Sequence, residues 1–411
     1  MNYELFLAKR IIADKAHKNS ISSPIIKIAS TAIALGLVIM LIAVATAAGL
    51  QHKIRDKISG FKGHVQITNY DNNNSEFSTK PIAKNQDFYP DFNTVPGIKN
   101  IQIFANKGGI IRTSTDFEGI LLKGVSTDYD WSFFTEYLTE GRVPNITEAR
   151  CTEILISNSL SKRLQLQLNE PVNVFFLKAQ ANALPSKRKL TIVGIYDTGF
   201  EEFDKNILVG DIREVQRLNK WTENQVGGFE VLLTDFENLS ATGNAIYNAI
   251  DPTLNSMTIA ESYPAVFEWI ELFDNNVTFI IVLMVLIAGI NMITALLVLI
   301  LERVQMVGIL KALGSSNWSI RKVFLYNASF LILKGLFWGN LIGLTLLGLQ
   351  HYFKIIQLNP ATYYVSTVPV YLTFSTVALL NAGTLVLCFT MLLVPSYIVS
   401  TIQPSKSIRF S

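Results

Sequence analysis

The residues of this chain that could do chemistry are scattered rather than grouped into a motif. The four histidines are His17, His52, His64 and His351, and no H-E-x-x-H zinc motif is present. The sequence also has no G-x-x-x-x-G-K-[ST] phosphate loop, no nucleophile elbow and no Ser-x-x-Lys with a supporting partner. We therefore predict that this chain is not an enzyme, with no catalytic residue, no metal site and no bound cofactor.

The two cysteines also fail to form a site. Cys151 lies in a segment of soluble composition, whereas Cys388 lies inside a long apolar run. Because one cysteine is in an aqueous segment and the other in a membrane segment, they cannot readily form a disulfide bond. Their spacing matches neither a metal site nor a redox pair. We interpret each as an unpaired structural cysteine.

The elements that carry these residues are dominated by four long apolar runs. Of the 411 residues, 49% are hydrophobic and only 16% are charged, which is too apolar for an average soluble protein. A bilayer-spanning helix needs about 20 apolar residues, and residues 25–50, 277–301, 323–349 and 370–400 meet that length. The predicted fold is a membrane α-helical protein with four transmembrane helices in a 1+3 arrangement. A large extracytoplasmic α+β domain lies between helices 1 and 2.

The distribution of lysine and arginine predicts the orientation of these helices. Basic residues cluster before the first helix and between the second and third, whereas the short loop before the fourth helix has only Lys354. Positive residues favour the cytoplasmic side, so we place both termini and residues 302–322 in the cytoplasm. The large domain is then extracytoplasmic. The small net charge of +3 belongs mostly to membrane flanks and gives no support to nucleic-acid binding.

These assignments divide the chain into nine segments. They are residues 1–24, a cytoplasmic amphipathic segment; 25–50, transmembrane helix 1; 51–276, the extracytoplasmic α+β domain; 277–301, helix 2; 302–322, a cytoplasmic segment; 323–349, helix 3; 350–369, a short extracytoplasmic loop; 370–400, helix 4; and 401–411, a cytoplasmic tail.

The soluble-type segments carry weaker patterns. At the N-terminus, Leu5 and Ala8 lie on one helical face, and Lys9 and Arg10 lie on another. This pattern predicts a helix at the membrane interface; a disordered basic leader is the alternative. The domain alternates strand and helix patterns, as expected of an α+β fold. Two of its predicted strands are Ile98–Phe104 and Gly109–Arg112.

Residues 302–322, the coupling segment, carry the strongest signal. We predict an amphipathic helix whose apolar face contains Val304, Val307, Ile309, Leu310 and Leu313, with Arg303, Gln305 and Lys311 pointing away from it. Gly314 can end this helix, because glycine adopts the left-handed cap conformation without penalty. Taken alone, such a connector is more often plain interfacial structure.

The sequence of the coupling segment resembles that of a known family. ERVQMVGILKALG is similar to the R-x-x-E-I-G-I-L-R/K-A-L-G pattern of the FtsX/MacB-like ABC permeases, although Gln305 and Met306 replace an acidic residue and an isoleucine. By this resemblance the residues that contact a cytoplasmic ATPase are Glu302, Arg303, Met306, Gly308, Ile309, Leu310, Lys311, Ala312, Leu313 and Gly314.

Further stretches are similar to the LolC/LolE lipoprotein-releasing branch of that family. They are ELFLAKRII near the N-terminus, KLTIVGIYDTGFEEFDKNILV and LNPATYYVSTVPV. Glu170 departs from a Gly-Asp turn that is usual near this position, which limits detailed transfer within the domain.

The resemblance implies a permease subunit rather than an enzyme. Such a subunit pairs with a second copy or a paralogue and with a cytoplasmic ABC ATPase dimer, which binds ATP and Mg. The complex extracts lipoproteins from the membrane lipids and passes them to a periplasmic lipoprotein carrier by mechanotransmission. Two alternatives are a MacB-like export permease and an FtsX-like regulator of cell-wall hydrolases. The absence of a fused ATPase domain disfavours the first, and the large domain disfavours the second.

The same resemblance assigns two further sites. Helices 1 and 2 would line a substrate cavity, at Gly36, Ala43, Ala47, Ala288 and Gly289, although ordinary helix packing explains these small residues equally well. Residues 177–189 occupy the place of a carrier-docking loop. Its candidate contacts are Leu177, Lys178, Leu184, Pro185, Lys187 and Arg188; an ordinary exposed hairpin is the alternative.

Lys334 is an intramembrane charge halfway along predicted helix 3. A lysine at the bilayer centre costs about 2.5–3.5 kcal/mol on insertion scales, so such residues are often functional. Snorkelling to the interface, or packing against Asn291, Asn340 or Asn381, are equally plausible roles.

Overall fold

The chain folds into two units. The computed structural model describes residues 3–13, 22–72, 76–114, 116–147, 149–176 and 184–402. The helical unit comprises Met1–Gln51, Ile270–Ile356 and Val368–Ser411, and the large domain comprises His52–Trp269 and Gln357–Thr367. The chain therefore crosses between the two units at four places.

The helical unit is built on long apolar helices. In chain order the helices of the whole protein are α1 (Tyr3–Ala13), α2 (Ser22–Lys62), α3 (Ser132–Glu136), α4 (Asn158–Leu164), α5 (Glu201–Asp204), α6 (Ile212–Asn219), α7 (Leu239–Ala249), α8 (Ile259–Ser262), α9 (Pro264–Glu302), α10 (Val304–Ala312), α11 (Asn317–Phe353), α12 (Pro360–Tyr363), α13 (Phe374–Ser396) and α14 (Ile398–Thr401). Four helical segments of the described chain are long and apolar enough to cross a membrane: Pro24–Lys62, Pro264–Glu302, Asn317–Phe353 and Phe374–Thr401.

Two of these helices are longer than their apolar runs. Helix α2 continues to Lys62, beyond the predicted end at residue 50, and α9 begins at Pro264, before the predicted start at residue 277. The extension of α2, residues 51–62, is polar, so hydropathy does not register it, whereas the extension of α9, residues 264–276, is amphipathic. Pro264 stands at the first position of α9, where its missing N–H costs no helical hydrogen bond.

Three glycines allow α11 to pack closely on α2. A Cβ atom at Gly335 would lie 2.9 Å from the side chain of Ile33, and one at Gly339 would lie 2.9 Å from the carbonyl oxygen of Ala34. At Gly343 the nearest atom, on Leu41, would be 2.9 Å away. Real Cβ atoms do not approach so closely, and small residues at every fourth position are a known way to bring membrane helices together.

The large domain contains a closed barrel and an open sheet. Its strands are β1 (Val65–Asn69), β2 (Ile82–Ala83), β3 (Ile98–Arg112), β4 (Phe117–Val125), β5 (Leu138–Gly141), β6 (Glu153–Ser157), β7 (Pro171–Phe176), β8 (Ser186–Tyr196), β9 (Ile207–Asp211), β10 (Gln225–Val226), β11 (Gly228–Leu233) and β12 (Leu254–Thr258). Six strands close in the order β3-β4-β9-β6-β8-β7, because β7 pairs with both β8 and β3. The open sheet has the order β12-β1-β11-β3.

Strand β3 belongs to both parts of the domain. Residues 98–104 pair with β11 of the open sheet, and residues 109–111 pair with β7 of the barrel. The prediction of two separate strands, Ile98–Phe104 and Gly109–Arg112, was wrong, since one continuous strand of 15 residues covers both. The Gly108-Gly109 pair inside it suggests a break, yet a Cβ at Gly109 would come within 2.8 Å of the Phe176 ring. Glycine at this position therefore allows β7 to approach β3 closely and does not end the strand.

A buried ion pair joins the end of α2 to the open sheet. Lys123 Nζ lies 2.8 Å from Glu230 Oε2, and the two side chains are only 3% and 1% exposed. The same ammonium donates to the carbonyl of Phe61, in the last turn of α2. Glu230 also accepts hydrogen bonds from Gln66 and Gln102, so each carboxylate oxygen has a partner.

We expect Lys123→Met to destabilise the domain by about 3–5 kcal/mol, because it leaves the Glu230 carboxylate buried without its cation. Lys99→Met is the matched control: Lys99 is 60% exposed and lies 3.7 Å from Asp130, so its loss should cost less than about 1 kcal/mol. Denaturant unfolding of the full chain in detergent measures both. An equal loss of unfolding free energy in the two variants would contradict a stabilising role of the Lys123–Glu230 ion pair.

Candidate functional site

The coupling segment contains a short helix bounded by two breaks in the helical backbone. Helix α9 ends at Glu302, and Arg303 leaves helical geometry with φ −107° and ψ 18° before α10 begins. At the other end, Gly314 has φ +91° and its amide donates to the carbonyl of Lys311 at 3.0 Å. Ser316 then caps α11 by accepting a hydrogen bond from the Ser319 amide at 3.2 Å. Helix α10 is thus a separate nine-residue element.

Helix α10 buries one face and exposes another that is partly apolar. Val307 and Gly308 are buried, and Met306 and Leu310 pack on the core of the helical unit. The predicted single apolar face is divided, since Ile309 and Leu313 are 51% and 78% exposed whereas Val307 is buried. Ile309 and Leu313 are four residues apart and therefore point in the same direction, which is away from the face that contains Val307. The exposed stripe they form also contains Glu302, Gln305 and Ala312.

Lys311 fixes α10 to the end of α14. Its ammonium donates to the carbonyl of Ser400 at 3.3 Å and to that of Ile402 at 2.8 Å, which lie at the end of α14. The prediction that Lys311 points away from the packed face was therefore wrong. A cation at a helix C-terminus satisfies carbonyls that lack an intrahelical partner. No sequence signal links residues so far apart, so pattern reasoning missed this contact.

The N-terminal helix α1 packs beside the coupling segment. Ala8 is 2% exposed and forms a small buried cluster with Val323, against which Met306 packs. The Glu4 carboxylate accepts a hydrogen bond from the Ser319 hydroxyl at 2.9 Å and lies 3.8 Å from Lys322 Nζ. Helices α1, α10 and α11 therefore form one packed cluster.

No chemical centre accompanies this cluster. Among the residues that the structure describes, no group of three His, Cys, Asp or Glu residues could hold a metal ion. The arrangement offers a surface of exposed apolar residues on a short, firmly seated helix. Such a surface suits contact with another protein.

Comparison with known proteins identifies the family. A model described as "MacB-like periplasmic core domain" matches residues 28–249, more than half of the chain, and one described as "FtsX-like permease C-terminal" matches residues 278–404. "Lipoprotein-releasing system transmembrane protein LolC" of Neisseria meningitidis is 22% identical over 96% of each chain. The chain belongs to the LolC/LolE family of FtsX- and MacB-like permeases.

Other members of the LolC/LolE family are similar over nearly the full length. The protein of the same description from Xylella fastidiosa is 19% identical over 92% of each chain. "Lipoprotein-releasing system transmembrane protein LolE" of Haemophilus influenzae is 19% identical over 99% of each chain. The match thus extends over the helical unit and the large domain together.

The small residues that the LolC/LolE resemblance assigns to a cavity mostly lie in helix contacts. Gly36 lies beside Met284 of α9, where a Cβ would be 3.8 Å from the Met284 carbonyl oxygen. At Gly289, a Cβ would lie 1.9 Å from the sulfur of Met391, so α13 packs directly on this glycine. Ala47 and Ala288 are buried and Ala43 is half-buried. These contacts are those expected from ordinary helix packing.

The candidate docking residues of the LolC/LolE loop divide into three groups. Leu177 and Lys178 lie outside the described residues. Leu184 is 82% exposed, and Pro185 and Lys187 are exposed beside it.

Arg188 differs from these neighbours because it is held inside the domain. Its guanidinium Nε lies 3.3 Å from the carboxylate of Glu214, whose side chain is only 2% exposed and also pairs with Arg150 at 2.6 Å. Burial raises the pKa of Glu214, so the two arginines stabilise a costly buried charge. Arg188 is therefore committed to an internal ion pair that ties β8 to α6.

Lys334 lies on an exposed face of α11. Phe330 and Phe337 on the same face are 48% and 63% exposed. The side-chain amides of Asn340 and Asn381 bond each other at 2.6 and 3.0 Å. Lys334 faces outward from the single chain.

Proposed function

We propose that this protein is the transmembrane permease subunit of an ABC complex that extracts lipoproteins from the inner membrane and passes them to a periplasmic carrier. A separate cytoplasmic ATPase dimer binds ATP and Mg, and a second permease copy or paralogue completes the complex. Closure of the ATPase moves the coupling segment. Helix α9 conveys that motion to the large domain.

One observation carries the proposal: Ile309 on α10 and Leu313 at its C-cap are exposed, while Val307 and Gly308 are buried. An apolar pair on a seated surface helix gains free energy by burial against a partner, at roughly 25 cal/mol for each Å² removed from water. Lys311 holds the helix in place, so force applied to the exposed face is passed to the helical unit rather than lost in a loose loop.

The membrane arrangement belongs to the same proposal. Four helices cross the inner membrane in a 1+3 order, both termini and the coupling segment are cytoplasmic, and the large domain is periplasmic. The distribution of basic residues supports this orientation. The assigned helix boundaries of residues 25–50, 277–301, 323–349 and 370–400 mark the expected hydrocarbon-spanning parts of the longer helices.

Extraction of lipids needs both energy and shelter. Moving acyl chains out of a bilayer costs about 0.8 kcal/mol for each CH₂ group, so several chains require ATP and an apolar cavity. We place this cavity against the faces of α2 and α9 that other helices leave uncovered. Leu35 on α2 is 58% exposed, and Phe279 and Ile290 on α9 are 66% and 61% exposed.

Reconstitution tests the proposal directly. The purified complex with its ATPase is placed in liposomes that contain a triacylated lipoprotein, and release to a soluble carrier is measured with ATP and without it. We expect transfer that depends on ATP and on the carrier. A complex whose ATPase carries an inactivating substitution is the matched control.

ATP hydrolysis without transfer would contradict the substrate assignment. It would favour export of periplasmic substrates or regulation of cell-wall hydrolases, which need the same coupling helix. Transfer without ATP would contradict mechanotransmission itself.

Lys334→Leu should lower lipoprotein release about tenfold while leaving yield and ATP hydrolysis unchanged. The charge lies on an exposed face in the middle of the helix, where a lysine is costly and is often functional. Lys334→Arg keeps the charge and should retain most of the release. Full activity of Lys334→Leu would instead indicate that the side chain only snorkels.

A further inference from the structure

The loop between α11 and α13 folds as part of the large domain. Residues Gln357–Thr367, here named the tether loop, belong to the domain, although the residues on both sides belong to the helical unit. A bridge joins Gln357 to Thr367, and the amide of Leu358 donates to the carbonyl of Ser366 at 2.9 Å. These contacts close the loop at its base.

The side chain of Tyr364 holds the tip of the tether loop against two aromatic residues. Its ring stacks on Phe200 with centroids 4.7 Å apart and an interplanar angle of 20°. Trp269 meets the same ring edge-on at 5.8 Å. Tyr364 has φ +59°, a left-handed conformation that is unfavourable for a tyrosine. The surrounding contacts must hold the backbone there, since residues without such support avoid this region.

Lys57 holds the backbone of the same residue. Its ammonium donates to the carbonyl of Tyr364 at 2.7 Å, and the residue is only 4% exposed. The ammonium also lies 5.7 Å from the centre of the Tyr137 ring. A buried ammonium requires acceptors. The tether loop therefore supplies a hydrogen bond that Lys57 needs, and Lys57 fixes the loop in return.

The residues around Tyr364 come from three elements that enter or complete the domain. Lys57 is on the part of α2 inside the domain, Trp269 is near the start of α9, and Phe200 lies between β8 and β9 of the barrel. Without the tether loop, the chain would join the two units only through α2 and α9. With it, the connection between α11 and α13 is also fastened to the domain.

We propose that Tyr364 and Lys57 are positioning residues that fasten the tether loop to the large domain, so that movement of α11 and α13 reaches the domain through a third route besides α2 and α9. This inference rests on the proposed function, because it concerns how ATP-driven motion reaches the domain. It assigns a mechanical role to this short loop.

The first test asks whether these contacts hold the loop. Hydrogen–deuterium exchange is measured on the full complex in lipid nanodiscs, for the native protein and for Tyr364→Ala and Lys57→Met. We expect exchange across residues 357–367 to rise at least about tenfold in both variants, the loss expected when about 1.4 kcal/mol of local protection is removed. Unchanged exchange in both variants would overturn the docking of the loop.

Two matched variants separate the contacts from a general loss of a tyrosine. Tyr363→Ala makes the same change at a neighbour that is 39% exposed, and it should leave exchange as in the native protein. Tyr364→Phe keeps the stacked ring and should also behave as native. A rise in exchange for Tyr363→Ala equal to that for Tyr364→Ala would contradict a specific role of Tyr364.

The second test asks whether the fastened loop transmits motion. Exchange of the barrel residues 186–211 is compared with and without a non-hydrolysable ATP analogue. We expect a nucleotide-dependent difference in the native complex and in Tyr363→Ala, and a difference reduced at least twofold in Tyr364→Ala and Lys57→Met. A full difference in the latter variants, or none in the native complex, would overturn transmission through the loop.

These readouts need no lipoprotein. If the native complex fails to release lipoproteins, the proposed function fails, and exchange still decides the role of the tether loop. If release works, Tyr364→Ala should also release about fivefold less lipoprotein for each ATP hydrolysed, while Tyr363→Ala should match the native ratio.

Discussion

Ile309→Asp combined with Leu313→Asp will separate the permease from its ATPase. Ile309 on α10 and Leu313 directly after it are 51% and 78% exposed, so aspartate can be accommodated in the free chain without disturbing its core. In a complex, the same carboxylates would be removed from water without a partner, which costs several kcal/mol. We expect affinity for the ATPase to fall at least about a hundredfold, as measured by co-purification and by titration in nanodiscs.

Phe117→Asp is the matched control for this change. Phe117 is 74% exposed but lies at the start of β4 in the large domain. The substitution Phe117→Asp makes the same apolar-to-acidic change at a position far along the chain from α10, and it should leave ATPase binding unaltered. Normal ATPase binding by the α10 double variant would show that the partner contacts another part of the cytoplasmic surface.

Replacing residues 178–184 by three glycines will remove binding of the periplasmic carrier. Strand β7 ends at Phe176 and β8 begins at Ser186, so this replacement leaves the paired strands intact. A wider deletion that reached residue 187 would remove residues paired with β7. We expect carrier binding to fall below detection and ATP hydrolysis to continue. Surface plasmon resonance with the immobilised complex measures the first, and phosphate release the second.

Point variants distinguish docking from support. Leu184→Asp should weaken carrier binding at least about tenfold, because Leu184 is 82% exposed and can contribute apolar contact only to a partner. Arg188→Gln should instead lower the free energy of unfolding, since it leaves Glu214 with one arginine fewer. Unchanged carrier affinity in Leu184→Asp and in the glycine replacement would contradict the docking role.

The helical unit was largely predictable because hydropathy measures what a membrane helix needs. Four apolar runs appear in the sequence, and four described helices are long and apolar enough to span a bilayer. The polar extension of α2 to Lys62 was missed because the apolar run that marks this helix ends at residue 50. The closed barrel was not predicted at all. Its closure depends on pairing of β7 with β3, residues 60 or more positions apart, and no local pattern reports such pairing.

The candidate site shows the same division between local and distant information. Gly314 was correctly predicted to end a short helix, because a left-handed cap is a local requirement. The exposure of Ile309 and Leu313 depends on which side of α10 meets the other helices, which periodicity alone does not decide. The contact of Lys57 with Tyr364 joins residues 307 positions apart, so only the folded chain reveals it.

The 15-residue strand β3 has a consequence for how the domain melts. At about 3.3 Å per residue it extends for roughly 50 Å, and its first half is hydrogen-bonded to the open sheet and its second half to the barrel. If either the open sheet or the barrel unfolded alone, the half of β3 that pairs with it would expose its backbone N–H and C=O groups. The other part of the domain would then have to keep a partly unpaired β3 in place. The open sheet and the barrel should therefore lose structure in a single calorimetric transition, with no state in which one persists alone.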